Sequence, residues 1–89
     1  LGTVSVDSPA EVRAIVARAR AAQEVWQRTS YAQRRRVLGL ILDHVLAQAD
    51  DLVDVVVRDS GKTRNNAMLG EIWPVVEKLR WTIAHGEKY

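Results

Sequence analysis

The residues that most suggest chemistry are Ser60-Gly61-Lys62-Thr63. A Gly-Lys-Thr ending is the closing half of a phosphate-binding loop, in which backbone N–H groups wrap a phosphate and the lysine reaches its outer oxygens. That loop needs a glycine five positions before Gly61, and the residue there is Val56. Val57, Arg58, Asp59 and Ser60 cannot take the required left-handed turns without strain. The phosphate loop is therefore rejected. Gly61 reads instead as the left-handed residue that closes a helix, with Lys62 and Thr63 leading into the next one.

The other candidates are weaker. Arg34-Arg35-Arg36 is the densest positive cluster, but adjacent helical residues point about 100° apart and cannot form one tight patch. The three also sit near a helix N-terminus, where the dipole disfavours cations. They read as solvated arginines, one of them paired to an acid. His44 and His85 stand alone, without a second ligand at helical spacing. Asp50, Asp51 and Asp54 could surround a cation, but helix caps and a solvated face account for them. Trp26, Trp73 and Trp81 could stack on bases, but their helical settings favour packing. Glu71, beside Gly70 in an apolar helix, fits a salt bridge to an arginine of a neighbouring helix. Nothing combines a nucleophile, a base and an orienting group. No catalytic, cofactor-binding or metal-ligating residue is assigned.

The 89 residues suffice for one small domain. Because 47% of them are apolar, the chain is not a disordered tail. The formal net charge is +2, too small an excess for the sequence pI of about 9.4 to argue for nucleic acid. The absence of cysteine excludes a disulfide framework, a cysteine zinc site and a cysteine nucleophile within these residues. It also fits a reducing, cytoplasmic setting. No apolar run approaches the length of a membrane span, and no signal peptide is visible. The start at Leu1 in place of Met reads as a piece of something longer.

Four helices must carry these residues. Leu1 to Val6 alternates weakly and predicts a short strand or extended arm, which would need a partner. Ser8, Pro9 and Glu11 form a capping box with proline at the first helical position. Val12, Ile15, Val16, Ala19, Ala22, Val25 and Trp26 then recur at helical spacing, and the helix should end near Gln27 or Arg28. Ser30 and Gln33 form a second box, followed by a core face of Val37, Leu38, Ile41, Leu42, Val45 and Leu46. Asp50 or Asp51 caps a third helix, Leu52 to Asp59. Its valines favour a strand, but Leu52, Val53, Val56 and Val57 share one helical face and Gly61 stands just past the end. The last helix runs from Thr63 or Arg64 to Ala84, with Ala67, Met68, Ile72, Val75, Val76, Leu79 and Ile83 along one side. Pro74 predicts a kink or a lost hydrogen bond within it. Gly86 is the natural stop, and Glu87-Lys88-Tyr89 carries no helical signal.

This order of elements resembles the N-terminal helical segment of the aldehyde dehydrogenase superfamily. The matching residues are Trp26 closing the first helix, then Ser30, Arg34, Leu38, Asp59-Ser60-Gly61-Lys62, Glu71 and Arg80-Trp81. The Ala-Arg-Ala-Ala run within Val12 to Trp26 is also typical. Asp59 replaces the commoner glutamate, and Thr63 stands where many members have proline. The family's catalytic cysteine, general-base glutamate and nucleotide-binding strands lie downstream of this segment. The resemblance implies a parent enzyme that oxidises an aldehyde to an acid through a cysteine thiohemiacetal, hydride transfer to NAD or NADP, and thioester hydrolysis. It implies that such helices flank the cofactor domain and help shape the substrate entrance. The succinic-semialdehyde branch is one member group it could represent.

The expected fold class is mainly α for these residues, about four helices and a short extended arm, within an α/β aldehyde dehydrogenase fold in the parent. Residues 1–89 are expected to form a single helical segment, an incomplete N-terminal part of a cofactor-binding domain. That segment should be inactive alone and bind no cofactor, with NAD or NADP expected for the parent. Its expected partners are the remainder of the parent chain and further copies in a homo-oligomer, with no membrane and no nucleic acid. The competing reading is a free-standing helical protein-interaction domain whose apolar faces close without missing partners.

Overall fold

The computed structural model describes residues 2–89, which fold mainly as α-helix, with no strand among the described residues. The chain divides into two compact units, Leu1–Ser30 and Tyr31–Tyr89. Leu1, the first residue of the expected strand, lies outside the described residues. From Gly2 to Ser8 there is no regular structure, and Val4 and Val6 are almost wholly exposed. A strand without a ladder partner has nothing to pair its backbone, and the expected strand does not form among the described residues.

In the first unit, helix α1 spans Pro9–Trp26. Its start is the expected capping box. Ser8 Oγ accepts from the Glu11 N–H at 3.2 Å, and Glu11 Oε2 accepts from the Ser8 N–H at 2.5 Å. The end is tightened by Arg28 N–H to Val25 O at 3.2 Å and Thr29 N–H to Trp26 O at 3.0 Å, three-residue bonds that satisfy the last carbonyls. The Thr29 hydroxyl donates to the Trp26 carbonyl as well, at 2.6 Å. No residue of α1 is buried.

The second unit holds α2 (Tyr31–Ala47), α3 (Ala49–Ser60), and a helical run over 64–85 that is regular only at its two ends. The core is Val53, Ala67, Ile72 and Val76, with Leu42, Val45, Leu52, Val56, Val57 and Met68 packed around it. Of the face expected on α2, Leu38, Leu42 and Val45 are partly buried, while Val37, Ile41 and Leu46 stay exposed. Helix α3 starts three residues before the expected Leu52. Neither Asp50 nor Asp51 is its cap. Gln48 holds that position without a side-chain bond, and the two acids lie in the first turn, where they complement the helix dipole.

The final run begins with Thr63 as N-cap, its hydroxyl accepting from the Asn66 N–H at 3.2 Å. It comprises α4 (Arg64–Ala67), a π turn (Met68–Ile72) and α5 (Trp73–His85). The lost hydrogen bond expected at Pro74 therefore takes a definite form. Proline has no N–H for the Gly70 carbonyl and its ring crowds that group. The preceding turn widens, so that the Trp73 N–H bonds back to Met68 O. The wider turn also lets Ala67 and Ile72, five residues apart, both face the core. The helix ends at His85 with Gly86 as its C-cap, where the stop was expected. Gly86 is right-handed at φ −57°, and Gly86–Lys88 continues as a 3-10 turn where no helical signal was expected. Glu87 within this turn pairs with Arg35, and Tyr89 just after it stacks on Trp81.

Candidate functional site

The joint after α3 is where sequence placed the strongest motif. Gly61 adopts φ +70°, and its N–H closes the helix on Val57 O at 2.9 Å, the expected left-handed cap. The Ser60 hydroxyl is spent on Val56 O at 2.6 Å. Lys62 forms an ion pair with Glu71, which answers the expectation for Glu71 with a lysine in place of an arginine from a neighbouring helix. Glu71 lies within the π turn, nine residues along from Lys62. The pair ties the joint to the irregular turn. Here the structure brings together two pieces of the sequence pattern, Ser60-Gly61-Lys62 and Glu71. A lysine held by a carboxylate, with Val56 where a second glycine would be needed, does not build a phosphate cradle.

Asp54 and Asp50 both face Arg64, Asp54 in direct contact and Asp50 at 3.6 Å. The acids thus serve as anchors for the start of α4. Among the described residues no group of His, Cys, Asp or Glu could hold a metal ion. Of the arginine run, Arg35 pairs with Glu87 at 2.6 Å, and the Arg34 guanidinium lies 5.4 Å from the centre of the Tyr31 ring. The pairing of one arginine with an acid is as expected; that the acid comes from the far end of the unit was not legible. Arg34 and Leu38 line, with Thr82 and Ile83, a cleft between α2 and α5.

His44 is exposed in the last turn of α2. The His85 ring stacks on Trp81 with centroids 5.2 Å apart, and its Nδ1 lies 3.1 Å from the Trp81 carbonyl oxygen. That oxygen is an acceptor, so the Nδ1–H tautomer fits. Tyr89 stacks on the same indole at 5.7 Å, and Lys78 lies over it at 5.2 Å. The packing expected of the tryptophans takes the form, at Trp81, of this aromatic stack beside the core. Trp73 and Trp81 are about half exposed, because the buried stripe passes through Ile72 and Val76 and leaves both indoles to its side. The four- and eight-residue spacing of Trp81, His85 and Tyr89 was a signal for the aromatic stack. Glu11, at the start of α1, is electrostatically perturbed. Hydrogen bonds from the Ser8 backbone and then its side chain hold its carboxyl below the ordinary value.

What these residues define is a set of helices with a small apolar core and ion pairs at its joints. The aldehyde dehydrogenase family model matches residues 1–89, so the chain belongs to that family. It is 38% identical over 88 residues to an aldehyde dehydrogenase-like protein of Saccharomyces cerevisiae, covering 99% of this chain and 14% of the relative. A similar protein of Schizosaccharomyces pombe is 33% identical, covering 99% of this chain and 17% of the relative. A 4,4'-diapolycopene aldehyde oxidase from a Methylomonas species is 30% identical over 81 residues, covering 91% of this chain and 15% of the relative. The chain thus spans a small share of the length of these relatives. No solved structure gives a significant match.

Proposed function

We infer that this chain is the N-terminal helical part of an NAD(P)-dependent aldehyde dehydrogenase that oxidises an aldehyde to a carboxylic acid. The observation that carries the reading is the family match over residues 1–89. The named aldehyde oxidase relative supports aldehyde chemistry. The exposed apolar side chains of α1 and of Pro74 and Val75 on α5 support a role in which these helices pack on further protein.

The residues present do not fit a nicotinamide cofactor. No glycine-rich turn leads from a strand into a helix, and Lys62 is committed to Glu71. No step of the reaction is therefore routed through these helices, and cofactor binding and the covalent chemistry are assigned to the remainder of the parent. The same reading includes a cytoplasmic, oligomeric enzyme. Succinic semialdehyde is the first substrate to assay, on the strength of the resemblance in residues 26–81.

The test compares the complete gene product with the 89-residue piece in a reduced-nicotinamide absorbance assay over a panel of aldehydes. Turnover by the complete product and none by the piece is the expected result. Turnover by the piece would end the scaffold reading. A complete product that stays inactive across the panel but captures a helical partner would replace it with the interaction-domain reading.

A further inference from the structure

The cleft between α2 and α5 joins two kinds of surface. Its floor is aliphatic, from Leu38 of α2 and Ile83 of α5, and Thr82 adds a hydroxyl. Arg34 and Arg35 supply positive charge at one side. The cleft measures about 150 Å³, a size at which an apolar cavity accepts a molecule of about six heavy atoms. One carboxylate already uses it. Glu87, carried by the last 3-10 turn, reaches back to the Arg35 guanidinium at 2.6 Å. The planar fork of an arginine matches a carboxylate in geometry and in charge. Both partners of this pair are about half exposed, with 48% of the Arg35 side chain and 59% of the Glu87 side chain accessible. Exposed pairs are weakly held and exchange readily with ions from solution.

We propose that this cleft is a binding site for a short aliphatic carboxylate, whose head takes Arg35 from Glu87 and whose tail lies on Leu38 and Ile83. Glu87 is then an internal stand-in for the ligand, and the turn that carries it is the latch the ligand releases. Charge without a tail would leave the aliphatic floor uncovered, and a tail without charge would leave the guanidinium without its carboxylate. Both parts are needed, and this sets the class of ligand. The proposal is independent of the reaction assigned above, since it requires neither cofactor nor turnover.

The test uses the complete gene product with isoleucine methyl groups labelled, following the assigned Ile83 methyl signal by NMR. Butyrate is the probe, with 1-butanol as the uncharged tail and inorganic phosphate as the tailless anion. Butyrate should shift the Ile83 signal saturably, in about the millimolar range expected for so small a ligand, and more tightly than either control. Arg35→Met should weaken butyrate by about tenfold or more, the scale of losing a charge-assisted bond. Glu87→Gln, which keeps the shape of the turn, should tighten it by about two- to fivefold by removing the internal competitor. Phosphate binding as tightly as butyrate would overturn the proposal in favour of an unspecific anion contact. An unmoved Ile83 signal, or an Arg35→Met protein that binds butyrate like the parent, would overturn it as well. An unchanged affinity in Glu87→Gln would remove the latch.

Discussion

Helix α1 and the helices of residues 31–89 share much of an alphabet of alanine, valine and arginine, yet they are held by different physics. In α1 the stabilising terms are local. They comprise the Ser8–Glu11 box, Pro9 at the first position and the Thr29 bonds at the end, and no residue is buried. In 31–89 the stabilising terms are distant in sequence. Val53 from α3 meets Ala67, Ile72 and Val76 from the final run, and Lys62–Glu71 and Arg35–Glu87 tie the joints. Local terms can define where a helix begins and ends. An 18-residue helix without tertiary burial is nevertheless marginal in water. The lesson is that clear boundaries and stability are separate properties. α1 has the clearest boundaries in the molecule and the least burial.

The sharpest way to break this contrast is at Val53, the largest fully buried side chain of that core. Val53→Asp places an unpaired charge there and should unfold the 31–89 unit outright, a loss of several kcal/mol. Val53→Ala should cost about 2 kcal/mol. Val16→Asp in α1 removes no buried contact and should cost less than about 1 kcal/mol. Amide hydrogen exchange read residue by residue checks this. Protection should collapse in α3 and α5 with the Val53 variants and remain as it was with Val16→Asp. Equal losses from the two aspartates would mean that α1 is covered in solution.

Next in size is Gly61→Ala. No neighbouring atom obstructs a side chain there, so the whole cost is conformational, from holding an L-residue at φ +70°. It should amount to about 1 kcal/mol, with Gly61→Asn costing less. Chemical denaturation midpoints would show this order, and an alanine variant of parent stability would mean that the joint relaxes out of the left-handed region.

Pro74→Ala separates two causes of the π turn. Ala67 and Ile72 are both buried and five residues apart, a spacing that a regular α-turn does not keep on one face. The core therefore requires the wider turn even when the proline is gone. The variant should change stability by less than about 1 kcal/mol and keep the Trp73-to-Met68 hydrogen bond in its crystal structure. A regular helix through 68–72 would instead make the proline the sole cause.

How much of this was legible follows the same division between local and distant terms. The Ser8 box, the Gly61 cap and the helical character of the valine-rich α3 were legible because each is decided within about four residues. The inward side of α2 was only half legible. Leu38, Leu42 and Val45 could be told from Val37, Ile41 and Leu46 only by knowing which neighbours arrive. Glu87 as the partner of Arg35 lies 52 residues away, and nothing local marks it. The π turn was legible in principle, from the five-residue step between Ala67 and Ile72 ahead of Pro74, but only once both residues are known to be buried. The family was legible in the ordered pattern of Trp26 through Trp81, and the family match over residues 1–89 agrees with it.

Smaller again is the Lys62–Glu71 pair, exposed on both sides. A double-mutant cycle with Lys62→Met and Glu71→Gln should give a coupling of less than about 1 kcal/mol that fades as salt is raised. A coupling that persists in high salt would show the joint to be shielded from water.

The smallest effect is a titration, and it returns to α1. The Glu11 carboxyl is held below its ordinary value by the Ser8 backbone and side chain, so its folded pKa lies below its unfolded one. A depressed carboxylate contributes stability that is fully present above the unfolded pKa and is lost as pH falls through the folded value. The first turn of α1 should therefore fray on acidification within the acid range, while neutral and mildly alkaline conditions leave it unchanged. The Glu11 side-chain carbon shift and the exchange rate of the Ser8 amide, both followed by NMR, should move together. In Glu11→Gln the amide bond to Ser8 can persist, but this acid-dependent step should vanish. Ser8→Ala should raise the Glu11 pKa toward its ordinary value and cost about 1 kcal/mol of helix stability at neutral pH. If the Ser8 amide instead opens at one pH in the parent and in Glu11→Gln, the start of α1 is held by something other than its own cap, and the local account of that helix fails.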